Sequence, residues 1–239
     1  MTDQFTSIVQ FHLSAFPKEQ WSEVTAVQWH LLHLEGHVDS VERSLRLVAF
    51  ASSLMRDLPR SRETVGTYRD LSHWAHIGAQ SIIMDVFHFH DVRKNLPKTL
   101  KSVPKIADLI DFSIIKRSGA MFEELFPNFA KIRHAVSHYG QFSTNAKKHR
   151  SSKGHSSGML EIAEGADVYI SGMMSGDRYV TSFEGETLEQ PINEQVVINL
   201  RRVLTPIQSE VKRVAQEINS DFITRLLAFQ RGAGPNPEV

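Results

Sequence analysis

Residues 131–140, KIRHAVSHYG, set Arg133 five positions ahead of His138 and place His134 directly after the arginine. An arginine keeps its charge at any physiological pH and presents a planar fork of N–H donors that fits an anion such as phosphate. A histidine titrates near neutrality and can take or release a proton in a reaction run there. The pair suits acid–base chemistry beside a fixed positive charge. Ser137 and Tyr139 flank His138 and add two hydroxyls to the same stretch. The plainer role is structural, because cations in the last turn of a helix complement its dipole and cap its carbonyls.

A short helix must carry these side chains. Pro127 resets the chain, Asn128 suits a cap, and Gly140 suits a stop. At about 100° per residue, Phe129, Ile132, Ala135, Val136 and Tyr139 gather on one face. Arg133 and His138 lie on opposite borders of that face, about 140° apart. One helix therefore does not set the two side by side; a long arginine can reach round, or a second subunit can bring its own pair.

Helical spacing runs through most of the rest. Trp21, Val24, Val27, Leu31 and Leu34, then Val41, Leu45, Val48 and Leu54, predict two helices split near Gly36, the second starting at Asp39-Ser40 and ended by Pro59. Leu71, Trp74, Ile77, Ile82, Val86 and Phe89 predict a third, from Tyr68 to Val92, with a heavily buried inner face. The segment 93–105, RKNLPKTLKSVPK, carries two prolines and five cations and reads as a basic loop. A fourth helix is expected over Ile106–Phe126, and the Ser-, Gly-, Lys- and His-rich TNAKKHRSSKGHSSG reads as flexible. Residues 159–192 change to period two with EG and SG turns, a small β-meander or hairpin. Val196 to Phe229 returns to helix, with Pro206 expected to kink or divide it.

The RHAVSH spacing, with His134 in the first intervening place, resembles the R-x4-6-H motif of the HEPN superfamily, where that place is typically Asn, Asp or His. The likeness extends in architecture from Trp21 to Gln141: helices throughout, and the motif at the end of a late helix that follows a longer hydrophobic one. The expected fold is mainly α, a HEPN-like helical bundle with a small antiparallel β-meander or hairpin before a long C-terminal helix. Its segments are a bundle over 1–142, a flexible basic loop over 143–158, the meander over 159–192, a helix over 193–230 packing on the bundle, and a disordered tail over 231–239.

The resemblance implies a metal-independent endoribonuclease without a cofactor, in microbial defence or a toxin–antitoxin system. A ribose 2′-OH would attack the adjacent phosphate and leave a cyclic phosphate, with His138 as acid or base and Arg133 as electrostatic clamp. His134 and Tyr139, then Ser137, are secondary candidates for orienting the pair or touching RNA. The resemblance also implies a homodimer whose two motifs line one cleft, and an antitoxin or other regulatory protein as partner. HEPN toxins paired with nucleotidyltransferase antitoxins carry a Tyr two places after the His; here Tyr139 follows His138 at once and Gly140 takes that place. Lys147, Lys148, Arg150 and Lys153 follow the motif and would supply sequence-independent attraction for RNA phosphates, against the plainer role of a solvated charged loop. The rival reading is a non-catalytic dimeric binding or scaffold protein.

Composition sets outer bounds. The chain has 239 residues, 41% hydrophobic and 23% charged, which suits one folded domain with an appendage. Lys plus Arg equals Asp plus Glu at 27 each, so any RNA site must come from local clustering. With no Cys, disulfides, thiolate zinc sites, Fe–S clusters and Cys nucleophiles are excluded, and a reducing cytoplasm fits. The N-terminus does not read as a signal peptide, and no apolar run reaches the length of a membrane span, so no membrane partner is expected. The 12 His include the helical set His30, His33 and His37, the pair His73 and His76, and the cluster His88, His90 and Asp91, none of which matches a ligand signature; no metal site is expected. Trp21, Trp29 and Trp74 fall at helical spacing among apolar residues and are expected in the core.

Overall fold

The computed structural model describes residues 9–137, 150–151, 154–157, 160–165, 168–170 and 172–231. Leu31, Leu34, Val38 and Val41 are buried in unbroken helical register, and they carry one helix, α1 (Trp21–Asp57), through Gly36. The expected split is thereby corrected, with Asp39 and Ser40 in mid-helix. A glycine costs a helix about 1 kcal/mol relative to alanine, whereas each buried Leu or Val beside it contributes roughly 1.5–3 kcal/mol.

The same balance corrects the basic loop. Helix α2 (Val65–Lys101) continues through Pro97, because Leu96 and Leu100 are fully buried. Pro97 leaves the Arg93 carbonyl without its helical N–H, a loss of about 3 kcal/mol that two buried leucines offset. The expected helix over 106–126 is divided: α3 (Pro104–Ala107) stops, and α4 (Phe112–Leu125) begins anew. Asp111 makes the break. Its carboxylate accepts the Ser113 N–H at 2.8 Å, and its own N–H donates to Glu210 at 2.7 Å. An Asp that bonds nearby backbone competes with helix continuation and favours a start.

Helix α5 (Phe129–Ser137) follows, and α6 (Glu194–Gln230) runs whole past Pro206. Its stripe of Leu200, Leu204, Ile207, Val211, Val214 and Ile218 is buried as the spacing implies. The region expected to be a flexible loop contains strands: β1 (Arg150–Ser151) and β2 (His155–Ser157). β1 pairs antiparallel with β4 (Val168–Tyr169), and β2 with β3 (Leu160–Ile162). The meander is β5 (Met173–Ser175), β6 (Arg178–Phe183) and β7 (Glu186–Pro191), antiparallel in that order. The fold is thus mainly helical, with small antiparallel sheets ahead of a long C-terminal helix.

The chain forms two compact units, each discontinuous in sequence: residues 1–36, 90–123 and 201–239 make unit 1, and 37–89 and 124–200 make unit 2. The divisions fall inside α1, α2, α4 and α6. Unit 1 buries Leu34, Leu96, Ile106, Phe122 and Ile207; unit 2 buries Val41, Ile82, Phe126, Ile132 and Tyr179. The tryptophan expectation is corrected: Trp29 is 53% and Trp74 46% exposed. Each shares a helical period with buried neighbours but sits on the outer side of its helix. Trp21 is half-buried and donates its indole N–H to the Phe16 carbonyl.

Tyr179 shows how tightly the meander is built. Its hydroxyl lies where a Cβ on Gly172 would be, and Gly172 has φ +103°, a conformation open to glycine. Gly172→Ala is expected to destabilise the protein by about 2–4 kcal/mol through strain and displacement of a buried ring, measurable as a lower urea midpoint at unchanged slope.

Candidate functional site

Arg133 and His134 lie on α5, which packs on β6 and β7 in unit 2. Phe129, Ile132 and Ala135 are buried, the face that the spacing predicts. The Ile132 N–H bonds to the Asn128 carbonyl at 3.0 Å, so Asn128 opens the helix after Pro127. Lys131 pairs with Glu186 of β7 at 3.0 Å, and the His134 ring meets Phe183 of β6 edge-on at 5.0 Å. The Ser137 hydroxyl donates to the His134 carbonyl, which ties it to the helix end. Beside the start of α5, a cleft of about 230 Å³ is lined by Asn128, Glu189, Gln190, Gln195 and Asn199 among others. Glu189 on its wall bonds Arg178 and His155.

Arg133 is half-buried and its guanidinium lies over the ring of Phe87 on α2, 4.2 Å from the centroid. Its Nε is buried without a hydrogen-bond partner, and no carboxylate among the described residues pairs with it. Asp85 pairs with His37 at 3.0 Å instead. The ring restrains the fork, and the cation–π contact holds it without neutralising it.

The chain matches no family model, no curated protein and no solved structure.

The roles of the site residues therefore rest on their chemistry and geometry. His138, Tyr139, Lys147, Lys148 and Lys153 lie outside the described residues, as does the side chain of Arg150, whose backbone opposes Tyr169 in β1. Of the expected constellation, α5 brings Arg133, His134 and Ser137 into one short stretch, with Arg133 directed to Phe87 and His134 to Phe183.

Two clusters escaped the sequence reading. In unit 2, His37 Nδ1 meets the Asp85 carboxylate and its ring stacks on His88 at 5.7 Å. The sequence grouped His37 with His30 and His33, and His88 with His90, and the helix pairing regroups them. His88 also meets the Phe87 ring edge-on, so these residues continue from the ring that holds Arg133. A carboxylate on one imidazole nitrogen orients the ring and leaves the other for proton exchange. Among the described residues, no group of three His, Cys, Asp or Glu side chains is arranged to hold a metal ion.

In unit 1, Arg93 is 8% exposed, with its guanidinium 3.1 Å from His90 Nδ1, 3.8 Å from Glu123 and over the Phe122 ring. A Cβ at Gly119 would come within 2.6 Å of Arg93 Nη1, so the glycine makes room for it. Arg93 Nε and Ser118 Oγ are buried without hydrogen-bond partners. Burial, then the Arg93 charge, lowers the His90 pKa, with Glu123 opposing. Arg93 was read as a loop cation; its position four after Phe89 and three before Leu96, both fully buried, is the signal that marks it as a core residue.

Proposed function

We propose that this chain is a metal-independent endoribonuclease of the HEPN type, working in microbial defence or a toxin–antitoxin system, with Arg133 and His138 as its catalytic pair. The observation that carries the reading is the state of Arg133: a restrained, half-buried guanidinium that no carboxylate of the described residues neutralises. Such a group is available to an anion from outside, and a phosphodiester is the anion that the motif's resemblance supplies.

In the reaction, the ribose 2′-oxygen loses its proton to a base and attacks the adjacent phosphorus. The P–O5′ bond breaks, the leaving oxygen takes a proton, and the products are a 2′,3′-cyclic phosphate and a 5′-hydroxyl. His138 moves one of these protons, and Arg133 stabilises the charge on the phosphorane. His134, Ser137 and Tyr139 orient the pair or the RNA. Lys147, Lys148, Arg150 and Lys153 hold neighbouring phosphates, and a protein antitoxin or regulator acts as partner. Among the described residues, no helix is long and apolar enough to cross a membrane.

A second reading, a non-catalytic binding or scaffold module, draws on the same contact, since Arg133 on Phe87 also braces α5 against α2. The two separate in one experiment. Purified protein is incubated with mixed structured and unstructured RNA in excess EDTA, as wild type, Arg133→Ala and His138→Ala. Cleavage lost in both variants with folding intact supports the nuclease; no cleavage by wild type favours the binding module.

A further inference from the structure

We infer that the outer face of the α1–α2 hairpin in unit 2 binds a second copy of this chain, antiparallel, about a two-fold axis at the level of Phe50. On α1, Leu47, Phe50 and Leu54 fall at helical spacing on one side and are 38%, 55% and 37% exposed. On α2, Trp74 and Ile77 are 46% and 45% exposed. Away from this side, Val41 and Val48 on α1 and Ala79, Ile82 and Ile83 on α2 are buried. Five large apolar side chains side by side on one surface exceed the scattered exposure normal for a protein surface.

Contacts between the two helices set their register. Ser44 Oγ meets Ser81 Oγ at 3.2 Å, Gly78 lies against Val48 and Ser44, and Ala51 packs with Leu71 and Ala75. Phe50 is therefore level with the stretch between Trp74 and Ile77.

The charges choose the occupant. Arg43 and Asp57 stand seven residues before and seven after Phe50, and seven residues return to the same face of a helix within about 20°. Both are exposed, and neither has an ion pair among the described residues. An isologous two-fold contact sets residue i against j and j against i. An antiparallel axis at Phe50 sets Arg43 against Asp57 of the second copy, twice, and Trp74 against Ile77, twice. Acid and base at equal and opposite offsets from the apolar centre give self-complementarity that a different partner does not require. The face follows from α1 and α2 alone, so it goes beyond the nuclease reading and stands or falls separately from it.

The test is the mass of the full-length chain in solution, by sedimentation equilibrium over a concentration series, with circular dichroism as the folding control. Wild type is expected to dimerise, and Phe50→Glu to abolish the dimer. Arg43→Asp and Asp57→Arg each put like charges into both symmetry-related contacts and are expected to weaken the dimer about fivefold or more. An equimolar mixture of these two variants restores opposite charges at both contacts and is expected to recover association, as is the double variant. The charge variants alter exposed residues, so they keep the test decisive even if Phe50→Glu misfolds. A monomeric wild type, a dimer indifferent to the variants, or single variants that weaken association without recovery on mixing would each overturn the inference.

Discussion

Arg133→Ala is expected to lower the rate of RNA cleavage in EDTA by about 10²–10³-fold and His138→Ala by about 10²–10⁴-fold, with the helical circular dichroism spectrum unchanged in both. The size follows from two separable contributions. Removing a positioned proton-transfer group forfeits about 10²–10⁴ in rate, and removing a pre-oriented donor to the developing charge costs about 10²–10³. Arg133→Lys sharpens the test. It retains the charge and loses the planar fork that lies over Phe87, so it is expected to recover little of the lost rate. If charge alone mattered, the lysine variant would recover most of it. The folded state should tolerate Arg133→Ala, because a buried Nε without a partner is removed along with the cation–π contact. A lower unfolding midpoint together with lost cleavage would favour the bracing role.

A second expected change in stability lies in unit 1. Glu123→Ala is expected to cost about 1–3 kcal/mol, because it leaves the buried Arg93 guanidinium with His90 as its hydrogen-bonding neighbour and without its carboxylate. Glu123 is itself largely exposed, which keeps the cost below that of a fully buried pair. Adding Arg93→Met is expected to return most of the loss, since a well-packed apolar side chain of similar length removes the unpaired charge. Urea denaturation of the single and double variants closes this cycle. An additive double variant would show that the two residues do not act as a pair.

The same cluster makes stability depend on pH. His90 accepts the Arg93 N–H at 3.1 Å through Nδ1, and the 3.6 Å approach to Glu123 is too long for a hydrogen bond. Burial and the Arg93 charge depress the pKa of His90 in the folded state. The unfolded chain, titrating near about 6.5, then binds a proton before the folded one does. The contribution of neutral His90 is therefore complete above about pH 6.5 and is lost as pH falls below it, through the lower folded pKa. His90→Gln keeps a hydrogen-bond acceptor and should flatten the fall in unfolding temperature between pH 7.5 and 5.5. Some slope should remain from His76, whose pKa is lowered first by burial and then by His73. An unchanged slope in His90→Gln would sink this assignment.

The sequence by itself determined the class of fold. Apolar residues at helical spacing mark α1, α2, α4 and α6, and period two with glycine turns marks β5 to β7. Periodicity reports burial of a face, and burial is what stabilises these elements. The apolar face of α5 was legible for the same reason, as were Asn128 at its start and the Arg133–His134 step. Local breakers misled at Gly36 and Pro97. A breaker's cost is local and small, while the burial that outweighs it comes from distant partners.

Only the tertiary structure decided which polar side chains meet. His37 and Asp85 are 48 residues apart, and the packing of α1 on α2 unites them. Arg93 became a core residue because Gly119 leaves space for its guanidinium and Phe122 supplies a ring beneath it. Trp29 and Trp74 were misplaced because a helix's period does not say which side faces in; that depends on where its neighbours lie. Arg133 shows the division most plainly. Its place on the border of α5 follows from the sequence, and its lodging over Phe87, clear of Asp85, follows from the packing of two helices that the sequence does not bring together.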